Sequence, residues 1–116
     1  MLKWLKEVSK RKCSFSKELQ DILGFFPKKI EFYHQAFCHS SMEQQEYGNN
    51  ERLEFLGDAI FNAVITDYLF HKMPKKDEGS LTDIRSKMVS RKTLNILAKK
   101  IKIDKICLLY TSPSPR

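Results

Sequence analysis

Apolar residues recur every three or four positions along most of this 116-residue chain, and no stretch of length alternates apolar and polar as a half-buried strand would. Residues 2–12 carry Leu2, Leu5 and Val8 at helical spacing with basic residues between them, which predicts a short amphipathic helix. Ser14 or Ser16 can cap a second helix through Leu23, closed by Gly24 and interrupted at Pro27. Residues 28–41 place Ile30, Tyr33 and Phe37 on one face with Ala36 beside them, a third helix. The polar, turn-rich residues 42–50 (MEQQEYGNN) predict a loop.

The longest periodic segment follows, from about Glu51 to Met73, with Asn50 as N-cap and Pro74 as the stop. Its apolar positions are Leu53, Leu56, Ile60, Phe61, Val64, Ile65, Tyr68 and Leu69, a face wide enough for the middle of a bundle. Residues 74–79 (PKKDEG) predict a tight charged loop. Ser80 and Asp83 form a capping-box-like start, with Asp in the usual Glu or Gln place, for a helix to about Val89. Another helix runs from about Lys92 to Ile101 with Leu94, Leu97 and Ala98 inward. The fold class expected is all-α, a helical bundle.

Composition agrees: 41% of residues are hydrophobic, enough for a real core, and only four glycines and four prolines interrupt the helix formers. No stretch approaches the roughly 20 apolar residues of a membrane helix, so no membrane partner is expected. The basic amino end (Lys3, Lys6, Lys10, Arg11, Lys12) lacks the apolar core and cleavage site of a secretory signal. Cys13, Cys38 and Cys107 are odd in number and lack metal-ligand spacing, which points to reduced thiols and a cytoplasmic protein. The net charge of +7 suits a polyanion such as nucleic acid, and suits equally a soluble protein that is simply basic.

Within NNERLEFLGDAIF, residues 49–61, Glu51, Glu54 and Asp58 stand at i, i+3 and i+7 and so share one helical stripe. Glu54 and Asp58, one turn apart, can converge on one oxygen-loving divalent cation, and Glu51 gains most from the helix dipole. The same spacing also describes a solvated face paired with Arg52 or with lysines from elsewhere. Gly57 costs a helix interior up to about 1 kcal/mol against alanine. It suits either close approach of a backbone or substrate, or a helix-packing contact.

The segment NNERLEFLGDA closely resembles the signature of the ribonuclease III catalytic domain, the double-strand-specific endoribonucleases. QAFCHSS (35–41) is similar to the family's segment just upstream, with Cys38 where a threonine is common. DEGSLTDIRSKMVSRKTLNILAKKI (77–101) is similar to its downstream acidic-Gly turn and two following helices, so the resemblance spans about residues 18 to 106. It implies a magnesium-dependent endonuclease, with manganese as a possible substitute, that acts as a homodimer on double-stranded RNA such as ribosomal precursors. Glu54 and Asp58 match the magnesium-binding, catalytic carboxylates, and Glu51 a supporting acid. Phe55 matches the aromatic that enters a pocket of the partner subunit, although periodicity alone reads it as a core phenylalanine. His39 and Ser40 match positions taken as packing and hydrogen-bonding residues.

The family also uses a second acidic pair, in an Asp-x-x-Glu-Ala-type motif on a later helix, usually followed by a double-stranded-RNA-binding domain. Neither is present: after Ile106 the only charged residue is Arg116. Residues 1–106 are therefore expected to be a catalytic domain incomplete at its C-terminus, and the fragment inactive. The last ten residues, CLLYTSPSPR (107–116), drop the helical pattern. They read as the translation of a transposase-type sequencing adapter (TGT CTC TTA TAC ACA TCT CCG AGC CCA CGA), hence as a non-native tail. A catalytically silent relative that binds double-stranded RNA or scaffolds ribosome assembly is the alternative to an active parent enzyme.

Overall fold

No glycine or proline lies between Leu2 and Leu23, and the chain there forms one helix, α1 (Leu2–Leu23), rather than the two expected. Ser14 and Ser16 lie inside it and cap nothing, because nothing locally breaks the ladder of backbone hydrogen bonds. Gly24 ends α1: its φ of 74° is the left-handed conformation that glycine adopts freely, and its N–H reaches the Gln20 carbonyl at 2.9 Å. The computed structural model describes residues 2–43 and 45–111. Its further helices are α2 (Ile30–Phe37), α3 (Glu51–Lys72), α4 (Glu78–Met88), α5 (Arg91–Lys100) and α6 (Ile103–Thr111).

α2 stops four residues before the expected Ser41. Cys38 turns extended, and its carbonyl accepts the Asn50 N–H at 2.9 Å, so residues 38–41 join the loop that leads to α3. α3 begins at Glu51 as expected, but the Asn50 side chain makes no cap bond; Asn49 Oδ1 accepts the Glu51 N–H at 3.1 Å instead. α4 starts two residues before Ser80, with extended Asp77 as N-cap residue. Ser80 Oγ donates to the Asp77 carboxylate and holds its pKa below the usual value. Ser90 caps α5 by accepting the Thr93 N–H at 3.3 Å.

Packing gathers at one end. Phe15 and Leu19 of α1 and Ile106 of α6 are buried together, with Ile22, Leu23, Ile30, Tyr33 and Phe37 against them. Phe15 stacks on His34 at 4.2 Å between ring centroids and meets Phe37 edge-on at 5.9 Å. α4 lies along the C-terminal half of α3, where Leu69 is buried and Arg85 donates to Thr66 Oγ1 at 2.8 Å. α5 continues from α4 to α6.

The molecule measures 64 × 28 × 23 Å, and its radius of gyration of 17.7 Å exceeds the roughly 13 Å of a compact domain this long. The bundle is open. α3 is not the buried central helix that its pattern predicts, since Leu69 is its one fully buried residue among those described. Leu56, Ile60, Val64 and Tyr68 are all more than half exposed. The physical reason is local: α4 and α2 are the helices with substantial contact to α3, and neither covers that face. The expected break at residue 107 is not a helix end, because α6 continues to Thr111; residues 112–116 of the expected tail lie outside the described residues.

Candidate functional site: the acidic stripe of α3

Why the chain seats acids in an apolar segment follows from helix geometry. At about 100° per residue, Glu51, Glu54, Asp58, Asn62, Ile65 and Leu69 fall within one sector about 80° wide. Leu56 and Ile60 fall on the far side of the helix, and Val64 and Tyr68 step round from there toward the edge of the stripe. The acids are thus exposed beyond the end of the face that α4 covers, and burial never excludes them.

The start of this stripe is fixed by the preceding loop. Gln35 Nε2 donates to the Asn49 carbonyl at 3.1 Å, and the Asn50 N–H reaches back to Cys38. Gln45 Nε2 donates to the Ser40 and Met42 carbonyls at 2.9 and 3.1 Å. The Ser41 N–H donates to His39 Nδ1 at 3.1 Å, and the Ser41 hydroxyl lies 2.7 Å from the same nitrogen. His39 and Ser40 thus order the loop. These bonds set where the first turn of α3 begins, and with it the direction of Glu51 and Glu54.

Glu51 and Glu54 occupy the first turn, where the unpaired N–H groups favour negative charge. Asp58 follows one turn on; Asn62 Nδ2 donates to its backbone carbonyl at 2.9 Å and reaches its Oδ1 at 3.5 Å. Among the described residues no ion pair engages Glu51, Glu54 or Asp58. The stripe can therefore present two hard oxygen ligands, Glu54 and Asp58, to a divalent cation. No third Asp, Glu, His or Cys completes a metal-holding group among the described residues. The donor set fits such a cation as part of its shell.

Two neighbours of the acids are open. Phe55 is 83% exposed, so it is not a core residue of this chain, whatever its periodicity. A Cβ built on Gly57 meets nothing within 4 Å, so no packing contact within the chain requires glycine there. Crevices of about 250 and 430 Å³ line the junction of α3 and α4 near Phe70 and Leu81 and include none of the three acids. An unenclosed acidic stripe suits a large polymer better than a small engulfed ligand.

A family model described as Ribonuclease-III-like matches residues 29–115, from α2 through α6 with the whole acidic stripe. The chain belongs to the ribonuclease III family. A protein named Ribonuclease 3 from Phocaeicola vulgatus is 50% identical over 95 residues, covering 78% of this chain and 30% of that protein. The Ribonuclease 3 of Azobacteroides pseudotrichonymphae is 46% identical over 105 residues, 87% of this chain and 40% of that one. That of Staphylococcus haemolyticus is 41% identical over 99 residues, 82% and 40% respectively. The ribonuclease III-family chain thus spans well under half the length of the relatives it matches. No solved structure matches it. The all-helical architecture is that of a ribonuclease III-like domain, and no described helix is long and apolar enough to cross a membrane.

The loop anchors were not legible beforehand. Gln35, Asn49 and the Cys38 carbonyl act through long-range backbone bonds, which leave no periodic signal in sequence. Their trace was the QAFCHSS segment, recognised by resemblance and not by chemistry.

Proposed function

We propose that the complete protein is a divalent-metal-dependent endoribonuclease that cleaves double-stranded RNA, including structured precursors such as ribosomal RNA. The observation that carries this reading is the exposed pairing of Glu54 and Asp58, one turn apart on one stripe, in a ribonuclease III-family chain. The similar proteins named Ribonuclease 3 support it. Glu54 and Asp58 hold Mg²⁺, or Mn²⁺ in its place, and Glu51 supports them from the first turn. When bound, the cation supplies an activated water, neutralisation of transition-state charge and assistance to the leaving 3′ oxygen.

Accessible double-stranded RNA offers shape and 2′-hydroxyls more than sequence, which suits an open stripe on a rigid helix. The active unit is a homodimer in which exposed Phe55 enters the partner subunit, and it works in the cytoplasm without a membrane. Residues 1–106 form the front of the catalytic domain, and 107–116 are a non-native tail; independent DNA whose codons 107–116 differ from the adapter string overturns the latter.

In the complete protein, Glu54→Ala or Asp58→Ala lowers cleavage of duplex RNA at least about a thousandfold, near 4 kcal/mol of transition-state stabilisation. Duplex binding in calcium stays close to wild type. Cleavage near the wild-type rate removes the role assigned to these acids. The 116-residue chain alone shows no useful magnesium-dependent cleavage, because two carboxylates hold a catalytic cation too loosely. The alternative reading is a silent RNA-binding or ribosome-assembly scaffold; Glu51, Glu54 and Asp58, all in place, favour the enzyme over it. A downstream acidic pair in the extended gene decides for cleavage, and neutral residues there decide for the scaffold.

A further inference from the structure

Residues 2–12 carry five cations and one anion, more than half of the chain's net +7. Read as sequence, this charge is spread over several turns; the single continuous α1 gathers it. Lys3, Lys6, Lys10 and Lys17 fall within a sector about 60° wide, a row about 21 Å long at 1.5 Å per residue. All four side chains are exposed, and among the described residues none forms an ion pair. Lys12, on the opposite side of the helix, is the lysine of α1 that does, with Glu46 at 3.8 Å.

The row is unfavourable in isolation. Like charges three and four positions apart repel, the first turn holds no acid, and the N-terminal dipole adds positive potential to Lys3 and Lys6. Glu7, one turn from Lys3 and Lys10, and Asp21, one turn from Lys17, offset part of this repulsion without forming an ion pair among the described residues. The positive excess that remains is complementary to a polyanion. The helix is also firmly mounted. Phe15 and Leu19, on the face away from the row, are buried in the core against α2 and α6. α2 in turn is bonded through Gln35 to the loop that starts α3. The carboxyl half of α1 is thereby linked, through α2, to the loop that starts the acidic stripe. It lies outside the residues that match the family model.

We propose that Lys3, Lys6, Lys10 and Lys17 form an accessory rail for the phosphate backbone of double-stranded RNA, independent of sequence. This rests on the reading of duplex RNA as substrate. A membrane surface is the competing occupant of a basic amphipathic helix. It fits less well, because the apolar face is occupied by the core from Phe15 onward, and the charged row extends along both halves of the helix. The charged row is the longer continuous feature.

The test is fluorescence anisotropy of a labelled blunt RNA duplex with the 116-residue chain in EDTA, across a salt series. K3Q/K6Q/K10Q/K17Q is compared with K99Q/K100Q/K102Q/K105Q, which removes the same charge from α5 and α6. The rail variant is expected to bind at least about tenfold more weakly and to lose about three from the slope of log K against log salt. The control is expected to lose clearly less. K3E, whose acid suits the first turn of the helix, is expected to weaken binding in the same direction and keeps the test valid should the quadruple variant lose helix content by circular dichroism.

Equal losses in rail and control variants overturn the rail, as does a rail variant that binds like wild type while wild type binds duplex RNA. In both cases the endoribonuclease reading stands. A wild-type chain that binds no duplex RNA overturns the rail and its premise together. Loss of binding to phosphatidylserine vesicles with RNA affinity unchanged overturns the rail in favour of a membrane surface.

Discussion

The end of the molecule built on Phe15 and the middle of α3 carry sequence patterns of the same kind and meet opposite fates. In α1, Phe15, Leu19 and Ile22 recur at helical spacing and are covered by α2 and α6. In α3, Leu56, Ile60, Val64 and Tyr68 recur as regularly and stay more than half exposed. Both runs make stable-looking helices, and only one finds its complement among the described residues. An apolar stripe states a demand for a partner; it does not contain the partner. No described helix covers that face of α3, and the chain spans well under half the length of the relatives it matches.

The sharpest way to break this comparison is a pair of truncations. Phe15→Ala is expected to cost about 3–5 kcal/mol, since it empties a buried site and removes the stacking on His34. Phe55→Ala in the same chain stays within about 0.5 kcal/mol. Urea unfolding followed by circular dichroism measures both. Comparable losses would mean that α3 is covered in solution. If the complete protein is the proposed homodimer, Phe55→Ala is expected to weaken it on sizing, and an unchanged dimer returns Phe55 to an ordinary apolar role.

Gly57→Ala sharpens the contrast at smaller scale. Its Cβ meets only open space, so the isolated chain gains up to about 1 kcal/mol from helix propensity. If cleavage by the complete protein falls on the same substitution, the glycine serves something that approaches from outside the chain. A gain in stability with cleavage unchanged leaves it as a mere weak point of α3.

The smallest effect concerns pH. His34 lies between Phe15 and Tyr47, the latter at 5.4 Å, and its pKa is lowered from 6.5 mainly by burial and then by Lys12; Glu46 and Glu31 oppose this. The neutral ring is the form that the fold favours. Its contribution is full above the unfolded value near 6.5 and is lost as pH falls through the lower folded value. The thermal midpoint of the Phe15 end should therefore drop from pH 7.5 to pH 5.5, and His34→Gln should flatten that dependence. A wild-type midpoint that is level across this interval removes His34 from the account.

Much of the fold was legible in advance because its signals are local. Pro74 stops α3, Gly24 closes α1, and the spacing of Leu94 and Leu97 marks α5. The misreadings have equally specific causes. Ser14 and Ser16 carry a cap's chemistry, but a cap acts only where a helix begins, and no residue there interrupts α1. Ser80 has the chemistry to start α4, yet it lies inside the helix and donates to Asp77 three residues earlier. Of the candidate site, the shared stripe of Glu51, Glu54 and Asp58 was fixed by spacing. The bonds from Gln35, Asn49 and Cys38 that aim it were not, because they join residues far apart in sequence.

The sequence by itself determined that this protein is helical, where most of its helices stop, and that three acids share one stripe. Backbone bonds four residues apart and a period of 3.6 are short-range properties. Only the tertiary structure decided which apolar face is buried, that four lysines of α1 line up on one continuous helix, and that Phe55 stands in the open. Those outcomes depend on which distant segment is present to cover a surface, and no local pattern carries that information.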